Sequence, residues 1–151
     1  MHHLNERQLS FFHLRTGEKL KTAYWADGHY LDDGLSEINH LLRDFRQNEV
    51  AAMDPLLLDQ LFSIQRILAN SDTIQVISGY RTEKTNNMLV QQKRGAVKNS
   101  FHTLGRAIDL NIAGVALKDL REAALLLRAG GVGYYPRSQF IHLDTGPVRT
   151  W

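Results

Sequence analysis

The chain has 151 residues, of which 43% are hydrophobic and 23% charged, with no cysteine and a net charge of +2 when the histidines are neutral. Without cysteine there is no disulfide framework, no cysteine-ligated metal and no cysteine nucleophile. The charge is too small to argue for nucleic acid. No run approaches the roughly 20 apolar residues that a membrane-spanning helix needs.

The length fits one domain over residues 1–151, large enough for a hydrophobic core without staples. The polar start, Met1 to Arg7, has no signal-peptide stretch. It predicts either a cytosolic protein or a mature form lacking its export signal. Met1-His2-His3 also reads as a cloning remnant, not as part of a metal site.

Arg7–Leu14 and Glu18–Trp25 read as two strands of a hairpin joined at Thr16-Gly17. Asp32-Asp33-Gly34 is then expected to break the chain. Ser36 is expected to cap a helix that carries Ile38, Leu41, Leu42 and Phe45 on one face. Asp54-Pro55 is a helix start, with a capping carboxylate and a proline at the first helical position. Leu57, Leu58, Leu61, Ile64, Ile67 and Leu68 continue its apolar stripe. Thr73–Ser78 reads as a buried strand ended by Gly79, Thr82–Gln92 as a polar helix, and Lys93–Phe101 as a loop. Gly105–Ile112 reads as a strand and Asp119–Ala129 as a helix stopped by Gly130-Gly131. Val132–Tyr135 and Gln139–Asp144 read as the last strands, divided at Pro136. The fold class is α+β: an N-terminal hairpin and helices packed on a mostly antiparallel sheet that carries the candidate metal site.

Three segments are more polar than a buried sheet should be. They are Ser78-Gly79-Tyr80-Arg81, the stretch from Ser100 through His102 to Asp109, and Phe140 through His142 to Asp144. Burying such groups is costly unless they are paired or bind a metal. Catalytic zinc commonly has three His, Asp or Glu ligands and an open position. His102, Asp109 and His142 supply two imidazoles and one carboxylate, which leaves a bound zinc ion (Zn2+) a good Lewis acid able to lower the pKa of water to roughly 7. Taken singly, each has a plainer reading: a histidine satisfied in a core, an aspartate in a cap or ion pair, an arginine in a solvated turn. Spacing leaves those readings open.

The pattern Ser100-x-His102-x-x-Gly105-x-Ala107-x-Asp109, followed by His142 near the end, resembles the zinc D-Ala-D-Ala metallopeptidases. That superfamily also includes lysostaphin-type enzymes and the hedgehog signalling domain. Ser78-Gly79-Tyr80-Arg81 is similar to its arginine motif. The segment from Gly133 through Pro136, His142, Asp144, Gly146 and Arg149 to Trp151 resembles a branch of exported murein endopeptidases, as does Leu9–Leu20. The resemblance implies that His102, Asp109 and His142 ligate zinc. It implies that Arg81 binds the substrate carbonyl or a developing oxyanion, a sound electrostatic role for a fixed guanidinium. It also implies a periplasmic hydrolase acting on the stem peptides of peptidoglycan.

The pattern departs from the superfamily at two positions. Gln139 stands where many members place a carboxylate base, and Phe140 where many have another histidine. Asp144, two residues past His142 and on the same strand face, is the local substitute, either as the base or as a carboxylate that orients a ligand. It also has a plain reading as a turn cap at Thr145-Gly146. Glu83, Tyr134 and Tyr135 are further candidates for the base, whereas His13, His29 and His40 match no motif. Ser100 is expected to hydrogen-bond near the site rather than act as a nucleophile. The basic loop of Lys93, Arg94 and Lys98 reads either as solvated or as a contact for substrate carboxylates. Besides the endopeptidase reading, the sequence allows a carboxypeptidase on murein peptides or a non-catalytic zinc-containing cell-wall-binding domain. Oligomeric state is not legible.

Overall fold

The structure is a computed structural model and describes residues 5–151; the reading of Met1-His2-His3 lies outside the described residues. Strand β1 (Glu6–His13) turns back through Gly17 into β2 (Lys19–Ala26), as the hairpin reading expects. A short β3 (His29–Tyr30) follows, and then α1 (Asp32–Leu41) and α2 (Pro55–Ile67). The chain continues through β4 (Ile74–Ser78), α3 (Glu83–Gln91) and a 3-10 turn at Phe101–Leu104 to β5 (Ala107–Ile112). It ends with α4 (Leu117–Leu127), β6 (Gly131–Tyr135), β7 (Phe140–Asp144) and β8 (Arg149–Thr150).

The strands form one sheet in the order β3-β2-β1-β4-β5-β7-β6-β8. Only the β1–β4 and β6–β8 pairings are parallel; the others are antiparallel. The class is the expected α+β. No helix among the described residues is long and apolar enough to cross a membrane.

Strand alternation decides where the core and the site lie. Side chains on a strand point to opposite faces in turn. On β5, Ile108, Leu110 and Ile112 are buried in the hydrophobic core, and on β7 so are Ile141 and Leu143. They meet Ile38 of α1, Leu57, Leu61 and Ile64 of α2, and Leu120 of α4 in the same core. Burying a leucine or isoleucine of this kind contributes about 1.5–3 kcal/mol. The intervening residues, Asp109 on β5 and Phe140 and His142 on β7, take the opposite face and line a cleft.

Helix boundaries differ from the sequence reading in three places, one being the end of α1 at Leu41, which leaves Phe45 outside the helix. Asp32-Asp33-Gly34 does not break the chain; it is the first turn of α1, and Ser36 lies inside the helix. Acidic side chains suit the positive end of the helix dipole. Gly34 serves contact, not flexibility: a Cβ there would collide with the Ala23 carbonyl of β2. At the other end, α4 stops before Gly130-Gly131. Arg128 adopts the left-handed conformation (φ 51°) that ends it, and Gly131 already belongs to β6.

Asp54 and Pro55 begin α2 as expected, with the Asp54 side chain accepting from Leu56 N. This helix start is also tied to the cleft. Asp54 N donates to Gly105 O at 2.8 Å, and Thr145 Oγ1 donates to Asp54 Oδ2 at 2.8 Å. Gly105 ends the 3-10 turn at φ 69°, and a Cβ on it would sit 2.6 Å from Ala52 O. The glycine of the sequence motif therefore lets the 3-10 turn reverse directly against the segment leading into α2.

Candidate metal centre

Three segments converge on one end of the sheet. Asp109 and His142 are register partners on the antiparallel strands β5 and β7, so their side chains emerge side by side. His102 comes from the 3-10 turn preceding β5. Ser100 caps that turn, its Oγ accepting from His102 N at 3.1 Å. Arg81 N donates to His102 O at 3.0 Å, which joins the turn to the segment after β4.

The hydrogen bonds fix the proton on His102 and allow a matching tautomer of His142. His102 Nδ1 lies 2.7 Å from Gly79 O, and a carbonyl can only accept, so Nδ1 carries the hydrogen. The remaining nitrogen, Nε2, is 3.1 Å from Asp109 Oδ1. His142 Nε2 lies 2.7 Å from Asp144 Oδ2, the shorter of its two carboxylate contacts, and donates to it in the tautomer that leaves Nδ1 without a hydrogen. Its Nδ1 is 3.0 Å from Asp109 Oδ1. With both rings neutral, two nitrogen lone pairs and a carboxylate oxygen face one another with no hydrogen between them. The three ligand atoms lie within 4.8 Å of one another. Such a convergence calls for a cation, and two imidazoles with one carboxylate suit zinc. The residues fit the metal.

The electrostatics follow from the same contacts. Burial holds the His102 pKa below that of a free imidazole, more than Asp109 raises it. Burial also acts to lower that of His142, but the neighbouring carboxylates of Asp109 and Asp144 outweigh this and raise it. Burial would raise Asp109 as well; the two histidines prevail and hold it well below the usual carboxylate range.

Asp144 is completely buried behind His142. Its Oδ1 accepts from Gly131 N, Gly146 N and Arg149 Nη1 at 2.9, 2.9 and 3.0 Å. Its Oδ2 accepts from His142 Nε2 and Arg149 Nη2 at 2.7 and 2.9 Å. Burial alone would raise its pKa, but these donors keep it well below the ordinary carboxylate value. Every accessible lone-pair direction is taken, and Asp144 does not line the cleft.

Arg81 is buried beside these three residues. Its Nη1 donates to Asn86 Oδ1 at 2.9 Å, and its Nη2 is 3.8 Å from Asp109 Oδ2. Asn86 is fixed in turn by donating to Val97 O at 2.9 Å. Nothing in the sequence singled out Asn86, because its role depends on α3 folding back over Arg81.

The cleft measures about 720 Å³. One wall is aromatic: Tyr135 stacks on Phe140, and Trp151 Nε1 donates to the Tyr135 hydroxyl at 2.7 Å. The Trp151 ring also lies 5.1 Å from that of His142. The lining is also basic, with Arg15, Arg46, Arg94 and Arg149 joining Arg81. Of the loop cations named from the sequence, only Arg94 lines the cleft; Lys93 and Lys98 are exposed outside it.

The other candidates are dispersed. Gln139 lies in the β6–β7 turn at φ 60°, its amide donating to Pro136 O. Glu83 is exposed at the start of α3, and Tyr134 sits under Arg121 of α4, on the helix side of the sheet. His29 and His40 are exposed, whereas His13 is buried against Phe45, away from the cleft.

A family model described as peptidoglycan L,D-endopeptidase MepK matches residues 2–151. The peptidoglycan L,D-endopeptidase MepK of Escherichia coli (strain K12) is 48% identical over 145 residues, covering 96% of this chain and 80% of that protein. The probable peptidoglycan L,D-endopeptidase MepK of Haemophilus influenzae is 47% identical over 146 residues, covering 96% of this chain and 78% of that protein. No solved structure gives a significant match.

Proposed function

The chain belongs to the peptidoglycan L,D-endopeptidase MepK family, within the zinc D-Ala-D-Ala metallopeptidases, and we propose that residues 1–151 form one zinc peptidase domain that hydrolyses peptide cross-links between stem peptides. The observation that carries the reading is the convergence of His102 Nε2, Asp109 Oδ1 and His142 Nδ1 with their lone pairs inward. These three residues are the proposed zinc ligands. The relatives' names favour internal cleavage over the trimming of a terminal residue. The periplasm, where the polymer lies, is the proposed location.

When bound, zinc supplies a Lewis acid that polarises the scissile carbonyl and activates water. The protein groups divide the remaining work. Asp144 and Gly79 O hold the two imidazoles in the tautomers that turn a lone pair inward. Of the roles weighed for Asp144, this orienting one suits its saturated, buried carboxylate, which has no free lone pair for a substrate proton. Arg81, held by Asn86 and Asp109, donates to the carbonyl oxygen as negative charge develops on it. Ser100 acts through the cap that positions His102.

Among the described residues, no carboxylate other than Asp109 lines the cleft. The Tyr135 hydroxyl is the protic group assigned to the reaction. Its oxygen accepts from Trp151, which leaves its own hydrogen free to go to the leaving amine, the attacking water returning a proton to the phenolate.

The test joins a metal analysis to a muropeptide digest followed by mass spectrometry. The wild-type protein is expected to hold one zinc per chain and to consume cross-linked dimers, and His102→Ala to do neither. Loss of a single terminal residue from uncross-linked peptides would mark a carboxypeptidase. Protein with full zinc that leaves every muropeptide intact would refute the enzyme reading in favour of a binding domain.

A further inference from the structure

The cleft gathers arginines from separate segments of the chain. Arg15 follows β1, Arg46 lies between α1 and α2, and Arg94 follows α3, yet all three line the cavity that contains His102, Asp109 and His142. None of the three forms an ion pair among the described residues. Arg94 makes only a long contact, 3.4 Å from Nη1 to Gln92 Oε1. Arg46 lies over the Phe45 ring, its guanidinium carbon 4.6 Å from the centroid, which limits its motion without neutralising it.

The neighbouring carboxylates are already engaged. Asp44 Oδ1 accepts from Arg46 N and Gln47 N, and its Oδ2 from Thr82 N and Thr82 Oγ1. Asp109, the carboxylate that lines the cleft, faces the two histidines and Arg81. Three guanidinium groups therefore share one space with no carboxylate paired to them among the described residues. Their crowding is visible on Arg46, whose pKa is lowered first by burial and then by the charges of Arg15 and Arg94. An anion bound among them would relieve that repulsion.

We propose that Arg15, Arg46 and Arg94 form a subsite for a free carboxylate of the peptide substrate, adjacent to the scissile bond. The inference rests on the peptidase reading, since the subsite opens on the same cavity as the proposed zinc ligands. It assigns a substrate class: cross-linked peptides whose residue beside the cleaved amide keeps an unmodified carboxylate. Guanidinium forks recognise a carboxylate by paired hydrogen bonds, which a neutral carboxamide cannot match in charge.

Two synthetic cross-linked peptides test this, identical except that one carries a carboxylate and the other a carboxamide beside the scissile bond. The wild-type zinc-loaded enzyme is expected to prefer the carboxylate peptide by about tenfold in kcat/KM. That preference should fall toward one in Arg46→Ala and in the Arg15→Ala/Arg94→Ala pair, with Arg46→Lys retaining part of it. Calorimetric titration of the zinc-free protein reads the subsite without turnover: the carboxylate peptide should bind about tenfold more tightly, and Arg46→Ala should remove the difference. Equal binding of the two peptides to the wild-type protein overturns the subsite, even if both are cleaved. Preferential binding without cleavage of either peptide supports the subsite and refutes the peptidase reading instead.

Discussion

His142 is held between two carboxylates, with Nδ1 3.0 Å from Asp109 Oδ1 on the neighbouring strand and Nε2 2.7 Å from Asp144 Oδ2 two residues along its own. In the proposed site one aspartate shares the metal side of the ring and the other sets its orientation. The proposed separation of ligand from support can be measured.

Asp144→Asn leaves a side chain of the same size but removes the charge that receives the His142 hydrogen. Zinc affinity is expected to fall by about 10- to 100-fold. Competition with a chromogenic chelator measures it. Unchanged affinity with a selective loss of kcat would instead return Asp144 to the role of base.

Ser100→Ala deprives the buried His102 N of its acceptor. A lost cap of this kind costs about 1 kcal/mol, to be read from urea denaturation. Because Ser100 acts through His102, zinc affinity should weaken along with stability. If KM rose while zinc affinity and stability stayed at wild-type values, Ser100 would be a direct substrate contact.

Tyr135→Phe keeps the stacking on Phe140 and removes only the hydroxyl that accepts from Trp151. We expect kcat to drop by about 10²-fold with zinc content retained. A kcat within twofold of wild type would remove Tyr135 from proton transfer.

His13 provides a pH prediction away from the metal. It is buried, and its Nδ1 accepts from Arg15 N at 3.1 Å, so the folded state requires the neutral ring. Burial, ahead of the surrounding charges, lowers its pKa below the ordinary 6.5. Below that value the unfolded chain binds more protons than the folded one, so stability rises with pH in this window. The contribution is present above pH 6.5 and is lost as pH falls toward the lowered pKa. NMR titration of the ring in the zinc-loaded protein should give a midpoint under 6.5; a midpoint above it would contradict the assignment.

The sequence by itself determined the features whose causes lie within a few residues. Asp54 and Pro55 start a helix because a carboxylate can cap the amide two residues on and proline lacks only a hydrogen that the first turn does not use. Alternation along Ala107–Ile112 separates Asp109 from the core isoleucines and leucine in any sheet that buries one face. The grouping of His102, Asp109 and His142 was legible through a resemblance, not through spacing.

What only the tertiary structure decided depends on distant backbones meeting. Asp32-Asp33-Gly34 looked like a break until the packing of α1 on β2 called for a residue without a side chain. Asp144 was a base, an orienting carboxylate or a turn cap until Gly131, Gly146, Arg149 and His142 closed around it. Arg15 and Arg46 belong to separate segments and join Arg94 in the cleft only through the fold. A chain encodes local hydrogen bonds and strand faces in neighbouring residues. Burial and charge crowding are properties of the space enclosed when remote segments pack, and no short window of sequence carries them.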